Sequence, residues 1–155
     1  MSDEKTLSWN ALSTGEKVIF VSGCLAVLSM LMPWLDIGFA TRNGITQSAL
    51  EALLLGFTYP AIMMFKRQSI DIRIGITLTV IALIWCSSYI SGKTATFGPP
   101  GDTIDTNFSG SGPGAFIFAC IGAIVGQAMC HKEDKASEEQ ILTPPSVPSS
   151  ENTDG

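Results

Sequence analysis

The sequence predicts an all-α fold, an integral membrane four-helix antiparallel bundle with both termini cytoplasmic. The first observation behind this prediction is a set of four long apolar stretches, at about residues 18–35, 47–65, 74–91 and 113–130. A hydrocarbon core about 30 Å thick takes about 20 helical residues to cross. Because backbone amides in lipid must bond within their own segment, each stretch is predicted to be a membrane-spanning helix.

Composition is the second observation. Of the 155 residues, 46% are hydrophobic and 15% are charged, whereas soluble domains average about 25% charged. We therefore expect one transmembrane domain over residues 18–130, between an interfacial N-terminal segment (1–17) and a disordered cytoplasmic tail (131–155). The net charge of −5 offers no basic surface to a nucleic acid, so the lipid bilayer is the expected partner and nucleic acid is excluded.

The third observation is where the basic residues fall. Seven of the nine Lys and Arg residues lie in the two termini and in the link between the second and third stretches, and only Arg42 and Lys93 lie in the other two loops. Short loops rich in Lys and Arg stay cytoplasmic. A cleaved signal peptide is the competing interpretation of the first stretch, but Pro33-Trp34-Leu35 offers no small-residue cleavage site.

The first helix begins at a capping-box pattern, Ser13-Thr14-Gly15-Glu16, in which Ser13 and Glu16 would bond each other's backbone amides. It is predicted to end near Pro33-Trp34-Leu35, with Trp34 at the outer membrane interface because an indole is apolar with one polar edge. A short outer loop with an Arg42-Asn43-Gly44 turn follows.

The second helix contains Glu51 and Pro60. An ionisable residue in a membrane span is a functional candidate, but a carboxylate in the first turns of a helix is also favoured by the helix dipole. Both interpretations of Glu51 stay open at this stage. Pro60 removes one backbone hydrogen bond and is predicted to kink the helix.

The third helix ends with Trp85 and Tyr89, which are predicted to form an aromatic belt at the outer interface. The loop that follows, 92–112, is dense in Gly, Pro, Ser and Thr, so no strand or helix is predicted there. Asp102, Asp105 and Asn107 in this loop lack the spacing of a calcium site, and no metal or other cofactor is predicted.

The fourth helix carries a small-residue face, formed by Ala115, Ala119, Gly122, Ala123 and Gly126. Small residues let two helices approach closely in lipid. One interpretation is contact within the bundle, against Ser22, Gly23 and Ala26 of the first helix or Ala52 and Gly56 of the second. The other is an interface with a membrane-protein partner or a second copy of the chain. Gln127 is the polar residue of this span.

The four cysteines all fall within or at the end of spans, without CxxC spacing, which is typical of buried thiols. A disulfide between Cys86 and Cys120 is an alternative, because the two lie at similar depth. His131 has no second ligand nearby for zinc.

The cap at Ser13 and Glu16, the span that closes on Pro33-Trp34, and the last helix opening after Gly112-Pro113-Gly114 resemble small, uncharacterised four-helix inner-membrane proteins of bacteria. This resemblance implies a multi-pass protein of the bacterial cell inner membrane. It implies no catalytic residue.

Two classes of function are expected. The first is a non-enzymatic protein that binds a membrane partner or serves as an accessory subunit. The alternative is a small oligomeric channel or transporter that uses Glu51 and Gln127. The sequence shows no Ser/His/Asp set and no HExxH, so an enzyme is not predicted.

Overall fold

The computed structural model describes residues 9–47, 49–66, 68–97 and 104–142. Four long helices dominate it: α1 (Thr14–Leu31), α2 (Ala49–Lys66), α3 (Ile72–Ser91) and α4 (Ser111–Leu142). All four are long and apolar enough to cross a membrane, which confirms the helical architecture. The first eight residues and residues 143–155 of the predicted disordered tail lie outside the described residues.

Neighbouring helices run antiparallel. Gly15 of α1 lies beside Cys130 of α4, and Ser22 lies beside Gly122. The beginning of α1 and residue 130 are therefore at the same end of the bundle, here called the terminal end. Two β-hairpins lie at the opposite end, here called the hairpin end.

The capping box at the start of α1 is confirmed. The Ser13 amide donates to the Glu16 carboxylate over 2.7 Å, and the Glu16 amide donates to Ser13 Oγ over 3.2 Å. Leu12, just before the cap, is buried with Ile19, Met64 and Cys130. The cap thus starts α1 at a point where the apolar side chains of its first turns contact α2 and α4.

The predicted end of the first helix is wrong by four residues. α1 ends at Leu31, and Pro33–Asp36 forms strand β1, because proline disfavours a helical conformation in the residue before it. β1 pairs antiparallel with β2 (Thr41–Asn43). The turn between these strands lies at residues 37–40 and places Gly38 at φ 81°, a conformation that glycine adopts without strain. Of the predicted turn Arg42-Asn43-Gly44, Arg42 and Asn43 belong to β2, and Gly44 lies in a turn that follows it.

The loop 92–112 also contains strands, contrary to the prediction. β3 (Thr94–Phe97) pairs antiparallel with β4 (Ile104–Asn107). Threonine occurs in both strands and β4 begins with Ile104, and β-branched residues favour extended pairing. Thr96 Oγ1 also donates to Asp105 Oδ1 over 2.6 Å across the strands.

The two hairpins are joined to each other at the hairpin end. Leu35 of β1 and Ser109 form an isolated antiparallel bridge. The Asp36 amide donates to the Phe108 carbonyl over 2.8 Å, and the Gly110 amide donates to the Trp34 carbonyl over 3.1 Å. The loops between α1 and α2 and between α3 and α4 therefore form one unit.

Trp34 is not an exposed interfacial residue as predicted. Its side chain is 0% exposed and lies in the main core under the joined hairpins. The indole Nε1 donates to the Ser29 carbonyl over 2.8 Å, and the ring contacts Trp85, Tyr89 and Phe116. Burial is tolerated because the indole N–H has a partner.

The fourth helix does not end at Cys130, where the sequence analysis placed its boundary. α4 continues to Leu142, so residues 131–142 are helical and not disordered. These residues include Glu, Lys, Ala and Gln, which are strong helix formers. The first proline after the span is Pro144, so the signal that ends a helix comes later than the change in polarity.

Candidate functional site

The small-residue face of α4 packs against α1 within the bundle. A Cβ at Gly126 would lie 2.7 Å from Ile19 Cγ1, and one at Gly122 would overlap Ser22 Oγ. Ala119 and Ala123 are buried at 1% and 0% exposure, and Ala115 is half-buried. Of the two interpretations of this face, these contacts correspond to the one within the bundle.

Two other helix pairs are also closed by small residues. At the α2–α3 contact, a Cβ at Gly56 would lie 3.0 Å from the Ala82 Cβ. At the α3–α4 contact, Gly75 lies directly against the Gln127 amide. Gly56 therefore approaches α3 and not the small-residue face of α4, which was the alternative partner in the sequence analysis.

The fourth pair, α1 and α2, is not closed in this way. Gly23 of α1 has no side-chain neighbour closer than Phe57 Cδ1, at 3.8 Å from the position of a Cβ. Between the two helices runs an apolar groove of about 620 Å³, open along one side. We call it the α1/α2 groove.

The α1/α2 groove has a graded lining. Its middle is lined by small side chains and by the buried ring of Phe57 beside Gly23, and its two ends carry bulky side chains. The small side chains are Gly23, Cys24, Thr58 and Ala61. The bulky ones are Phe20 and Phe65 at the terminal end, and Leu28 and Leu54 at the hairpin end. A groove with this profile accepts a convex apolar surface at mid-height.

A polar group lies in the bundle interior on the other side of α2. Gln127 is 1% exposed, and its Nε2 donates to Thr79 Oγ1 over 3.1 Å. Thr79 is 0% exposed, and its hydroxyl lies 2.9 Å from the Gly75 carbonyl and 3.3 Å from the Gly56 carbonyl. Gln127 Oε1 has no hydrogen-bond partner among the described residues and rests on Gly75.

Glu51 is not part of this group. It is exposed in the first turn of α2, at the hairpin end. Gln127 is sixteen residues into α4, about 24 Å from that end along the helix axis. The structure therefore does not bring together the two residues on which a channel or transporter was predicted to depend.

The cysteines differ in exposure. Cys86, Cys120 and Cys130 are buried, and Cys24 is exposed in the α1/α2 groove. All four are free thiols, so Cys86 and Cys120 do not form the alternative disulfide. Across residues 9–47, 49–66, 68–97 and 104–142, His, Cys, Asp and Glu form no group of three that could hold a metal ion.

Sequence reasoning missed the α1/α2 groove. Small residues in the middle of both apolar stretches were a signal for it, but Gly23 was assigned to the contact with α4, which is made by its neighbour Ser22. We found no match to the chain among protein-family models, curated proteins or solved structures.

Proposed function

We propose that the chain is a non-enzymatic, multi-pass protein of a bacterial inner membrane that binds a transmembrane helix of a partner protein in the α1/α2 groove. The observation that carries the proposal is the contrast between this groove and the other three helix pairs. Small residues close α1–α4, α2–α3 and α3–α4, whereas the small residues of the groove face outward.

Both termini of this protein are cytoplasmic in the proposed orientation. The contact between Gly15 and Cys130 supports a shared side for the start of α1 and the inner part of α4. Of the nine basic residues, seven belong to the terminal end or to the chain segments that continue from it, and the distribution of Lys and Arg selects the cytoplasmic side.

A helix fits the groove better than flexible chains of lipid. Close helix contacts in membranes depend on small residues that let backbones approach, and Gly23 and Ala61 supply them on both walls. The exposed hydroxyl of Thr58 adds a group that can hydrogen-bond across helices. The expected partner helix carries a bulky apolar residue at mid-height, between the Phe20–Phe65 and Leu28–Leu54 ends.

The native Cys24 thiol provides the test, because it is the exposed cysteine and lies in the groove. Native membranes are treated with a membrane-permeable maleimide that carries a photoactivatable group, and are then illuminated. We expect one discrete crosslinked protein. In the matched control, Cys24→Ser with Ile84→Cys moves the label to an exposed position on α3, and the same product should not form.

A second pair of variants tests the shape of the groove. Ala61→Leu fills its middle and should reduce the Cys24 crosslink at least tenfold, whereas Ile62→Leu, at an exposed neighbouring position, should leave it unchanged. Crosslinks to lipid alone, or equal products from Cys24 and from position 84, would refute the proposal.

A further inference from the structure

Pro60 leaves a backbone carbonyl of α2 without its usual donor. Proline has no N–H, so the carbonyl four residues earlier, that of Gly56, receives no hydrogen bond within the helix. Pro60 and Gly56 are both buried within α2. In lipid such a group must be satisfied by a neighbouring helix or side chain.

Thr79 of α3 supplies that donor. Its hydroxyl lies 3.3 Å from the Gly56 carbonyl and 2.9 Å from the Gly75 carbonyl of its own helix. The Gln127 amide donates to the same oxygen over 3.1 Å. Thr79 Oγ1 accepts the Gln127 N–H through one of its lone pairs. Its single hydrogen therefore points away from Gln127, toward the Gly56 and Gly75 carbonyls.

The position of Pro60 divides the wall of the α1/α2 groove. Leu53, Leu54 and Phe57 precede the proline, and Ala61 and Phe65 follow it. The part before the proline is fixed by the close contact of Gly56 with Ala82. The distance of the six residues after Pro60 from α1 depends on the angle at which α2 continues beyond the proline.

We propose that Thr79 is a latch on a hinge at Pro60: its hydrogen bond to the Gly56 carbonyl holds α2 at one angle and thereby sets the width of the α1/α2 groove at its terminal end. The role of this width in partner binding rests on the proposed function, whereas the latch itself does not. A swing of about 20° would displace the end of α2, about 9 Å beyond the hinge, by about 3 Å.

The latch is tested by distance measurements between spin labels in the full-length protein in detergent or lipid. One label pair, Val21→Cys with Lys66→Cys, reports the groove at the end of α2 beyond the hinge, and a second, Leu28→Cys with Leu50→Cys, reports the hairpin end. All four positions are exposed, and Cys24→Ser removes the exposed native thiol.

Thr79→Val removes the hydroxyl and keeps the shape of the side chain. We expect it to shift or broaden the distance at the Val21–Lys66 pair by about 3 Å and to leave the Leu28–Leu50 pair unchanged. Thr79→Ser, which keeps a hydroxyl, should retain the native distance. Thr77→Val, at an exposed threonine of the same helix, is the matched control.

A double-mutant cycle separates the latch from a general packing effect. Pro60→Ala restores the N–H that bonds the Gly56 carbonyl, so Thr79→Val should no longer change the Val21–Lys66 distance in that background. An equal effect of Thr79→Val with and without Pro60 would overturn the latch, as would no effect in either. These distances need no partner, so failure of the latch leaves the crosslinking test of the groove independent.

Discussion

Gly15 of α1 and Gly126 of α4 approach each other so closely that neither position has room for a side chain. A Cβ at Gly15 would lie 2.7 Å from the Gly126 carbonyl oxygen, and one at Gly126 would lie 2.9 Å from the Gly15 carbonyl oxygen. Backbone atoms of both helices form this contact, so neither helix can relieve an overlap by rotating a side chain.

Gly126→Leu should therefore lower the yield of folded protein. Overpacking of a close contact costs about 1–3 kcal/mol, and more where backbone must move. Size-exclusion chromatography and thermal unfolding in mild detergent measure the effect. Val125→Leu is the control, because Val125 is 48% exposed on the same helix. A Gly126→Leu protein that is as stable as the control but loses an oligomer would show that the face lies between chains.

Trp34→Phe should destabilise the hairpin end. The substitution keeps an aromatic ring among Trp85, Tyr89 and Phe116, but it removes the donor to the buried Ser29 carbonyl. The Ser29 carbonyl still accepts from the Met32 amide over 3.2 Å, so the variant loses one of two hydrogen bonds to this oxygen, which costs about 0.5–1.5 kcal/mol. The free energy of unfolding in denaturant is the measurement, with Trp85→Phe, at a half-buried position, as the comparison. Equal losses in both variants would contradict a special role for this hydrogen bond.

The thiols should react in two groups. N-ethylmaleimide in mild detergent is expected to modify Cys24 quickly, while Cys86, Cys120 and Cys130 react only on unfolding, because they are buried. Mass spectrometry of intact protein at successive times counts the modified thiols. Rapid modification of a second cysteine under native conditions would be inconsistent with the helix packing.

The proposed orientation predicts opposite labelling of two loop positions. Phe39 is 92% exposed in the turn of the first hairpin, and Lys135 is exposed beyond the apolar part of α4. In intact cells a membrane-impermeant maleimide should label Phe39→Cys and spare Lys135→Cys, and cell lysis should make both reactive. The reverse result would place the termini outside.

The sequence predicted the long elements because membrane-spanning helices are specified by length and polarity alone. The capping box at Ser13 was predictable for a similar reason, since its two partners are three residues apart. Trp34 was placed wrongly because an indole is suited both to a membrane interface and to a core in which its N–H has a hydrogen-bond acceptor. The choice between them depends on residues distant in the sequence, Trp85, Tyr89 and Phe116, which pack against the ring.

Three features of the candidate site depend on the same kind of distant pairing. Thr79 becomes a donor to α2 only through a contact that spans 23 residues, and Gln127 reaches Thr79 across 48. The α1/α2 groove lies where Ser22 faces Gly122 of α4 and the adjacent Gly23 has no neighbour closer than Phe57. Local pattern therefore identified the small residues, and the choice of partners followed from how the four helices assemble.

The contact between α1 and α4 joins the earliest and the latest of the four long helices in the described part of the chain. At about 5–20 residues per second, the 111 residues that separate Gly15 from Gly126 take roughly 6–22 s to emerge from the ribosome. In the proposed membrane location, α1 would wait in the bilayer during that interval with Gly15 and Ser22 uncovered. A nascent chain that stops before α4 would thus expose small residues that α4 covers in the complete bundle.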